Sequence, residues 1–132
     1  MNECDRPLPP HARQGLILFN KKKYFEAHEE LEAAWREEKG GIRDLYQGIL
    51  EAGVTYLHIT RGNYAGAIKV YGRSMRWLRM WPEACCGVEV GQLRNDLSTA
   101  IEEVRRLGEK QIREFNPDLL KPVLWKEDQD ER

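Results

Sequence analysis

Histidine, glutamate and tryptophan lie at helical spacing within residues 24–36, YFEAHEELEAAWR. The first two side-chain types can bind a ligand or a metal ion, or act as an acid and a base. At about 100° per residue, His28, Glu32 and Trp35 fall on one face of a helix, and Glu29 follows His28 directly. Buried polar groups without partners cost free energy, so His28 and Glu32 predict matching groups on a neighbouring helix.

A second polar stripe follows on the next predicted helix. Gln47, Glu51 and His58 repeat at i, i+4 and i+11, which places them on one side of that helix. Antiparallel helices joined by a short loop would bring the two stripes face to face. We therefore expect one inter-helical pocket formed by His28, Glu29, Glu32, Trp35, Gln47, Glu51 and His58.

This pocket has three interpretations: a hydrogen-bonded structural network, a ligand site, or a metal or catalytic site. His28-Glu29-x-x-Glu32 lacks the second histidine at i+4 that completes the zinc motif HExxH, and the sequence contains no Glu-x-x-His pair. A structural network is the commonest role for such a cluster. Among functions, the sequence favours a binding or interaction module over a metal-dependent enzyme. It identifies no metal, cofactor or reaction.

A basic segment, residues 61–79, offers a different site. No acidic residue occurs between positions 61 and 82, and the cations of the segment are Arg61, Lys69, Arg73, Arg76 and Arg79. Lys69, Arg73 and Arg76 share a helix face with Trp77 and Trp81 on its flank, a composition compatible with phosphate contact and base stacking. A solvated charged face is the more frequent reason for such a pattern, so polyanion or nucleic-acid binding is the alternative.

Composition limits the class of protein. The chain has 132 residues, 33% charged, with a formal net charge of -1, which indicates one domain and argues against a dedicated nucleic-acid or membrane-surface protein. No apolar run reaches the roughly 18 to 20 residues of a membrane span. Cys4, Cys85 and Cys86 are odd in number and show no CxxC spacing, so we expect reduced thiols and a cytoplasmic protein without membrane contact.

Helical periodicity predicts an all-α, compact bundle of about five antiparallel helices, over residues 10–21, 23–38, 42–61, 63–81 and 90–115. We expect a flexible lead-in over residues 1–9, one helical domain over 10–125 and a disordered acidic tail over 126–132. Trp81 and the apolar residues 123–125 make a homodimer possible.

Two segments forty positions apart are similar, Lys23-Tyr-Phe-Glu-Ala27 and Asn63-Tyr-Ala-Gly-Ala67. Each opens a helix with an aromatic residue followed by an inward alanine, as tetratricopeptide helices do. The bundle is therefore expected to be loosely tetratricopeptide-like, with helices 2 to 5 stacked as two related hairpins. Tetratricopeptide repeats are about 34 residues long and occur in arrays, so the similarity indicates local hairpin geometry and not an array.

A longer series of spaced motifs comprises Phe19-Asn20, Tyr24-Phe-Glu-Ala-His-Glu29, Leu31-Glu32, Trp35-Arg36, Gln47-Gly48, His58, Arg61-Gly-Asn63 and Gly66-Ala67. Together, over about residues 16–80, these motifs resemble the prokaryotic family known as domain of unknown function 309. The resemblance implies a small all-helical fold and no particular activity. Glu51 stands where the family pattern often has glutamine, which changes the charge expected at the site.

Overall fold

The computed structural model describes residues 2–126 and confirms the all-α bundle, with five α-helices and one small antiparallel sheet. The helices are α1 Pro10–Asn20, α2 Tyr24–Glu37, α3 Arg43–Thr60, α4 Tyr64–Leu78 and α5 Val90–Gln111. The strands are β1 Ala84–Cys85 and β2 Val88–Glu89, and short 3-10 helices cover Glu3–Asp5, Ile112–Glu114 and Pro117–Leu119. Within residues 2–126, no helix combines the length and apolar character needed to cross a membrane.

Consecutive helices pack against each other from α1 to α5. The connections between α1, α2, α3 and α4 are short, so these neighbouring helices run antiparallel. At the centre, the rings of Phe19, Tyr24 and Tyr56 meet edge to face with centroids 5.3 to 5.7 Å apart. Edge-to-face contact is the favoured geometry for aromatic pairs. One aromatic cluster therefore joins α1, α2 and α3.

The turns before α2 and α4 have the same hydrogen-bond pattern. Lys22 and Gly62 both have positive φ, 63° and 71°. In each turn the next residue donates its backbone N–H across 2.9 Å to a carbonyl five positions earlier, from Lys23 to Leu18 and from Asn63 to His58. The repeated units are thus the hairpins α1–α2 and α3–α4. The expected grouping of helices 2 to 5 as two related hairpins stays a prediction, since α2 also packs against α3 and α4 against α5.

The last helix is not continuous over the range that its apolar spacing predicted. Gly108 has φ 75° and ψ 175°, outside the helical region, so α5 is interrupted one turn before it ends at Gln111. The 3-10 turn Ile112–Glu114 follows, and Phe115 remains buried. The apolar pattern continued across Gly108 because residues on both sides of the bend pack into the same core.

The N-terminal segment is bonded to the β-hairpin. Cys4 and Cys85 form a disulfide, and the Cys86 N–H donates to the Cys4 carbonyl oxygen across 2.8 Å. The expectation of three reduced cysteines is therefore wrong. The two residues are 81 positions apart in sequence, yet the fold brings their Cα atoms to 4.4 Å, a contact that local spacing cannot reveal. Cys86 is a buried free thiol whose pKa is raised to about 11 by burial.

The proposed division of the chain at residues 10 and 125 stays a prediction. In the structure, Glu3–Asp5 forms a 3-10 turn, and Trp125 makes a β-bridge with Val88. Lys126 donates its N–H to the Gly87 carbonyl oxygen across 3.0 Å. The rest of the predicted acidic tail, residues 127–132, lies outside the described residues.

Candidate functional site

A buried carboxylate lies at the junction of α3 and α4. Glu51 is 7% exposed, and both of its oxygens accept a hydrogen bond. Gln47 Nε2, one turn earlier on α3, donates to Oε2, and Arg73 Nε of α4 donates to Oε1 across 3.2 Å. A buried carboxylate is tolerated when both of its oxygens accept hydrogen bonds. The Arg73 guanidinium and the Gln47 amide supply these bonds to Glu51.

Small residues explain why α4 reaches Glu51. A Cβ atom added to Gly48 would lie 2.7 Å from Leu78 Cδ2, closer than real Cβ atoms approach their neighbours. The Ser74 hydroxyl of α4 donates to the Gly48 carbonyl oxygen across 2.8 Å and is fully buried. The close crossing at Gly48 places Arg73, one residue before Ser74, beside Glu51.

His58 lies near the end of α3 and contacts the cap of α4. The Asn63 side-chain oxygen accepts from the Gly66 N–H across 3.0 Å, which orients its amide so that Nδ2 faces His58 Nδ1 at 3.1 Å. Nδ2 can only donate, so His58 Nδ1 is the acceptor and the proton of the neutral ring is on Nε2. Burial lowers the pKa of His58, and the positive charges of Arg61 and Arg73 lower it further.

On α2, Trp35 has a cationic partner from α3. The guanidinium carbon of Arg43 lies 3.8 Å from the centroid of the Trp35 ring. The Arg43 Nε atom is buried and has no hydrogen-bond partner within residues 2–126, and the same is true of His28 Nδ1. The His28 ring stacks on Phe25, with centroids 6.2 Å apart and planes 21° apart.

The predicted site residues fall into two groups. Gln47 and Glu51 are hydrogen-bonded together, and His58 is close enough to Arg73 for that charge to lower its pKa. His28 and Glu32 make separate contacts within α2, with Phe25 and with Arg36 at 3.1 Å, and Trp35 contacts Arg43 of α3. Glu29 is exposed. Within residues 2–126, no hydrogen bond joins the α2 members to those of α3, so convergence in one pocket stays a prediction.

Two arginines at this site were not predicted as pocket residues. Arg73 was predicted only as part of the basic segment, whereas the structure pairs it with Glu51. Arg43 was not predicted at all, although it precedes Gln47 by four positions and so extends the polar stripe of α3 by one turn. That i, i+4 spacing was the available signal.

The rest of the basic segment faces solvent. Arg61, Lys69, Arg76 and Arg79 are exposed, and within residues 2–126 the side chains of the last three form no ion pair. Trp77 and Trp81 are only partly exposed because they pack against the bundle. The exposed cations therefore make a solvated face without free aromatic rings beside it.

No group of three His, Cys, Asp or Glu side chains in residues 2–126 is arranged so that it could hold a metal ion. The carboxylate of Glu51 is bonded to Arg73 and Gln47. His28 and His58 have different neighbours, Phe25 and Asn63. These side chains give no support to the metal-dependent alternative.

Comparison with known sequences gives two matches. Residues 12–70 match the model of a family described as Domain of unknown function (DUF309). Uncharacterized protein YpuF from Bacillus subtilis (strain 168) is 31% identical over 97 residues, covering 70% of this chain and 56% of that protein. This chain thus spans little more than half of that relative's length. The region matched to the family includes every predicted pocket residue and Arg43, and Arg73 lies three positions beyond it.

Proposed function

This chain belongs to the DUF309 family through residues 12–70, and from that starting point we propose that it is a binding module. Its binding surface, called here the α3 face, comprises Trp35 of α2, Arg43, Gln47, Glu51 and His58 of α3, and Arg73 of α4. The proposed ligand carries a carboxylate or a phosphate group.

The observation that carries this proposal is the unpaired Nε of Arg43. A structural role accounts for Glu51, because both of its oxygens are bonded. It does not account for a buried guanidinium N–H without a partner, which costs roughly 1 to 3 kcal/mol. Binding sites are commonly maintained at such a cost to stability. Because this donor is buried, an acceptor group on a ligand would satisfy it after the guanidinium shifts on the Trp35 ring.

The polarity of the α3 face favours an oxyanion. Arg43 offers Nε, Arg73 has N–H groups beyond the one that Glu51 accepts, and neutral His58 offers Nε2–H. The charge of Glu51 is balanced by Arg73. The groups left for a ligand are therefore mostly donors, and charge-assisted bonds from arginine to carboxylate or phosphate are among the strongest available.

Thermal melts with glutamate and inorganic phosphate as probes, each at millimolar concentration, test this function. We expect at least one probe to raise the melting temperature through mass action on the folded state. The rise should vanish in Arg43→Gln and in Arg73→Gln. It should persist in Arg76→Gln, a matched control on the exposed side of α4.

Two results would count against the proposal. One is the lack of a shift with either probe in the unmodified protein, and the other is a shift that Arg43→Gln leaves intact. A shift that instead disappears in Arg76→Gln or Lys69→Gln would assign binding to the basic segment. The shift in melting temperature should then decrease steeply with added salt, because salt weakens the binding of anions to a basic surface.

A cytoplasmic location and a homodimer also remain proposals. The apolar C-terminal residues are partly used within the chain, since Val123 is buried and Trp125 pairs with Val88. Leu124 is 52% exposed and is the residue of this group that could contact a second copy. Sedimentation velocity at several protein concentrations would reveal self-association, and Leu124→Ser should weaken it.

A further inference from the structure

A cleft of about 240 Å³ lies between the α3–α4 turn and the segment that follows α5. None of its lining residues belongs to the α3 face. Its walls are mostly apolar, and the lining residues are Ile59, Thr60, Gly62, Ile112, Arg113, Phe115, Pro117 and Leu120. No acidic side chain is among them.

The outer wall of the cleft is fixed to the bundle by hydrogen bonds. The Asn20 side chain donates to the Val123 carbonyl oxygen across 2.9 Å and accepts from the Val123 N–H across 2.8 Å. Lys22 Nζ donates to the Pro117 carbonyl oxygen across 3.1 Å. Residues 117–123, which include Leu120, are therefore held in place at both ends, and this wall of the cleft is formed before any ligand enters.

Arg113 is the charged group of the cleft, and its position is constrained. Its Nη2 donates to the Arg61 carbonyl oxygen across 3.4 Å. Its guanidinium carbon would lie only 2.8 Å from a Cβ atom at Gly62, so it rests directly on the turn. Gly62 also has φ 71°, a conformation that glycine adopts readily. The turn thus positions a guanidinium whose other N–H groups have no partner within residues 2–126.

We propose that this cleft binds a small carboxylic acid with an apolar body. The alkyl chain or ring would contact Ile59, Phe115 and Leu120, and the carboxylate would accept hydrogen bonds from Arg113. At about 30 Å³ per water in the liquid, the cleft holds the volume of about eight waters, enough for a short aliphatic or a single-ring acid. Apolar burial favours the body of such a ligand, and the arginine selects the carboxylate over a neutral or cationic head group.

Octanoate is the probe for this proposal, with octanol and octylammonium as controls of the same chain length. In ¹H–¹⁵N NMR titrations, octanoate should shift the amide resonances of Gly62, Phe115 and Leu120. Octanol should bind more weakly and octylammonium weakest of all. Arg113→Gln should weaken octanoate binding about tenfold or more, the scale of one charge-assisted hydrogen bond, and leave octanol unchanged.

Arg76→Gln is the matched control, since it removes an exposed arginine that does not line the cleft. Leu120→Trp should fill the cleft and abolish binding of octanoate and octanol, with folding verified from the unchanged spectrum of α2. Equal binding of the three probes, or octanoate binding unaffected by Arg113→Gln, would overturn the proposal. So would octanoate shifts confined to Arg43 and Arg73, which would assign the acid to the α3 face.

Discussion

Arg73 Nε donates to Glu51 Oε1 across 3.2 Å, and this contact joins the middle of α3 to α4. The two partners differ in solvent contact, since the Glu51 side chain is 10% exposed and that of Arg73 is 48% exposed. Water can therefore solvate the arginine more readily than it can solvate the carboxylate. The pair is therefore asymmetric, and removing either partner should have a different consequence.

Arg73→Ala should destabilise the protein by about 1 to 3 kcal/mol, because it leaves the buried Glu51 carboxylate with Gln47 as its remaining side-chain partner. Glu51→Ala should cost less, about 1 kcal/mol, since water can solvate the half-exposed Arg73 that it leaves without a partner. Urea unfolding measures both. Glu32→Ala is the control, because the exposed Glu32–Arg36 pair contributes only about 0.5 kcal/mol. Equal losses in all three variants would contradict the asymmetry.

Two glycines on adjacent helices should respond in opposite directions to alanine. At Gly48 the new methyl group would overlap Leu78, so Gly48→Ala should destabilise by about 1 to 3 kcal/mol. At Gly72, in the interior of α4, nothing lies within 4 Å of the new methyl group. Gly72→Ala should stabilise by up to about 1 kcal/mol through helix propensity. Thermal melts would decide, and a stabilising Gly48→Ala would show that α3 and α4 do not cross closely there.

The helices could be predicted because their signals are local. Apolar spacing defines each buried face, and turn residues such as Gly62 and Asn63 mark where one helix ends and the next begins. The bend at Gly108 was missed because the apolar stripe continues through Ile112 and Phe115 after the helix stops. No local pattern connects Cys4 with Cys85, so the disulfide was beyond prediction.

The sequence predicted which side of its helix each site residue occupies, but not which neighbouring helix that residue contacts. The spacing of Gln47 and Glu51 correctly placed them on one stripe of α3. It directed Glu51 toward α2, whereas its hydrogen bond across helices goes to Arg73 of α4. Sequence spacing reports which side of a helix a residue occupies, but the neighbour on that side is set by packing. Here packing depends on Gly48, which allows α4 to approach.

The titrations of His11 and His58 should move in opposite directions from the ordinary pKa of 6.5. The pKa of His11 is raised, first by its 2.7 Å hydrogen bond to Glu30 and also by the charge of Glu37. The pKa of His58 is lowered by burial and two arginines. NMR titration of the ring protons measures each value, and a His58 pKa above 6.5 would contradict its burial beside Arg61 and Arg73.

These shifts give opposite contributions to stability across acidic and neutral pH. The His11 contribution is present below 6.5 and is lost as pH rises through its raised folded pKa. For His58 the unfolded chain takes up the proton first, so stability is lost as pH falls through 6.5 toward the lowered folded pKa. His58→Gln should therefore reduce the loss of stability in acid, and His11→Gln should increase it. Urea unfolding at several pH values tests both signs.

Reduction of the Cys4–Cys85 disulfide should lower the melting temperature. The bond joins residues 81 positions apart, and cross-links of that span stabilise by up to about 4 kcal/mol through the entropy of the unfolded chain. Cys4→Ser should match the effect of reductant and should make the protein insensitive to it. Cys86→Ser should retain the sensitivity. Alkylation of the unreduced, unfolded protein should modify one thiol, and modification of three would contradict the pairing.

The most direct test of the α3 face is the NMR resonance of the Arg43 Nε–H group. In the free protein this proton has no hydrogen-bond partner among residues 2–126. Titration with glutamate or phosphate should move its resonance downfield as an acceptor binds, and Trp35 should shift with it because its ring lies against the same guanidinium. The Arg76 resonance should remain unchanged. If neither ligand moves the Arg43 resonance while the protein stays folded, the α3 face is a structural network and not a binding site.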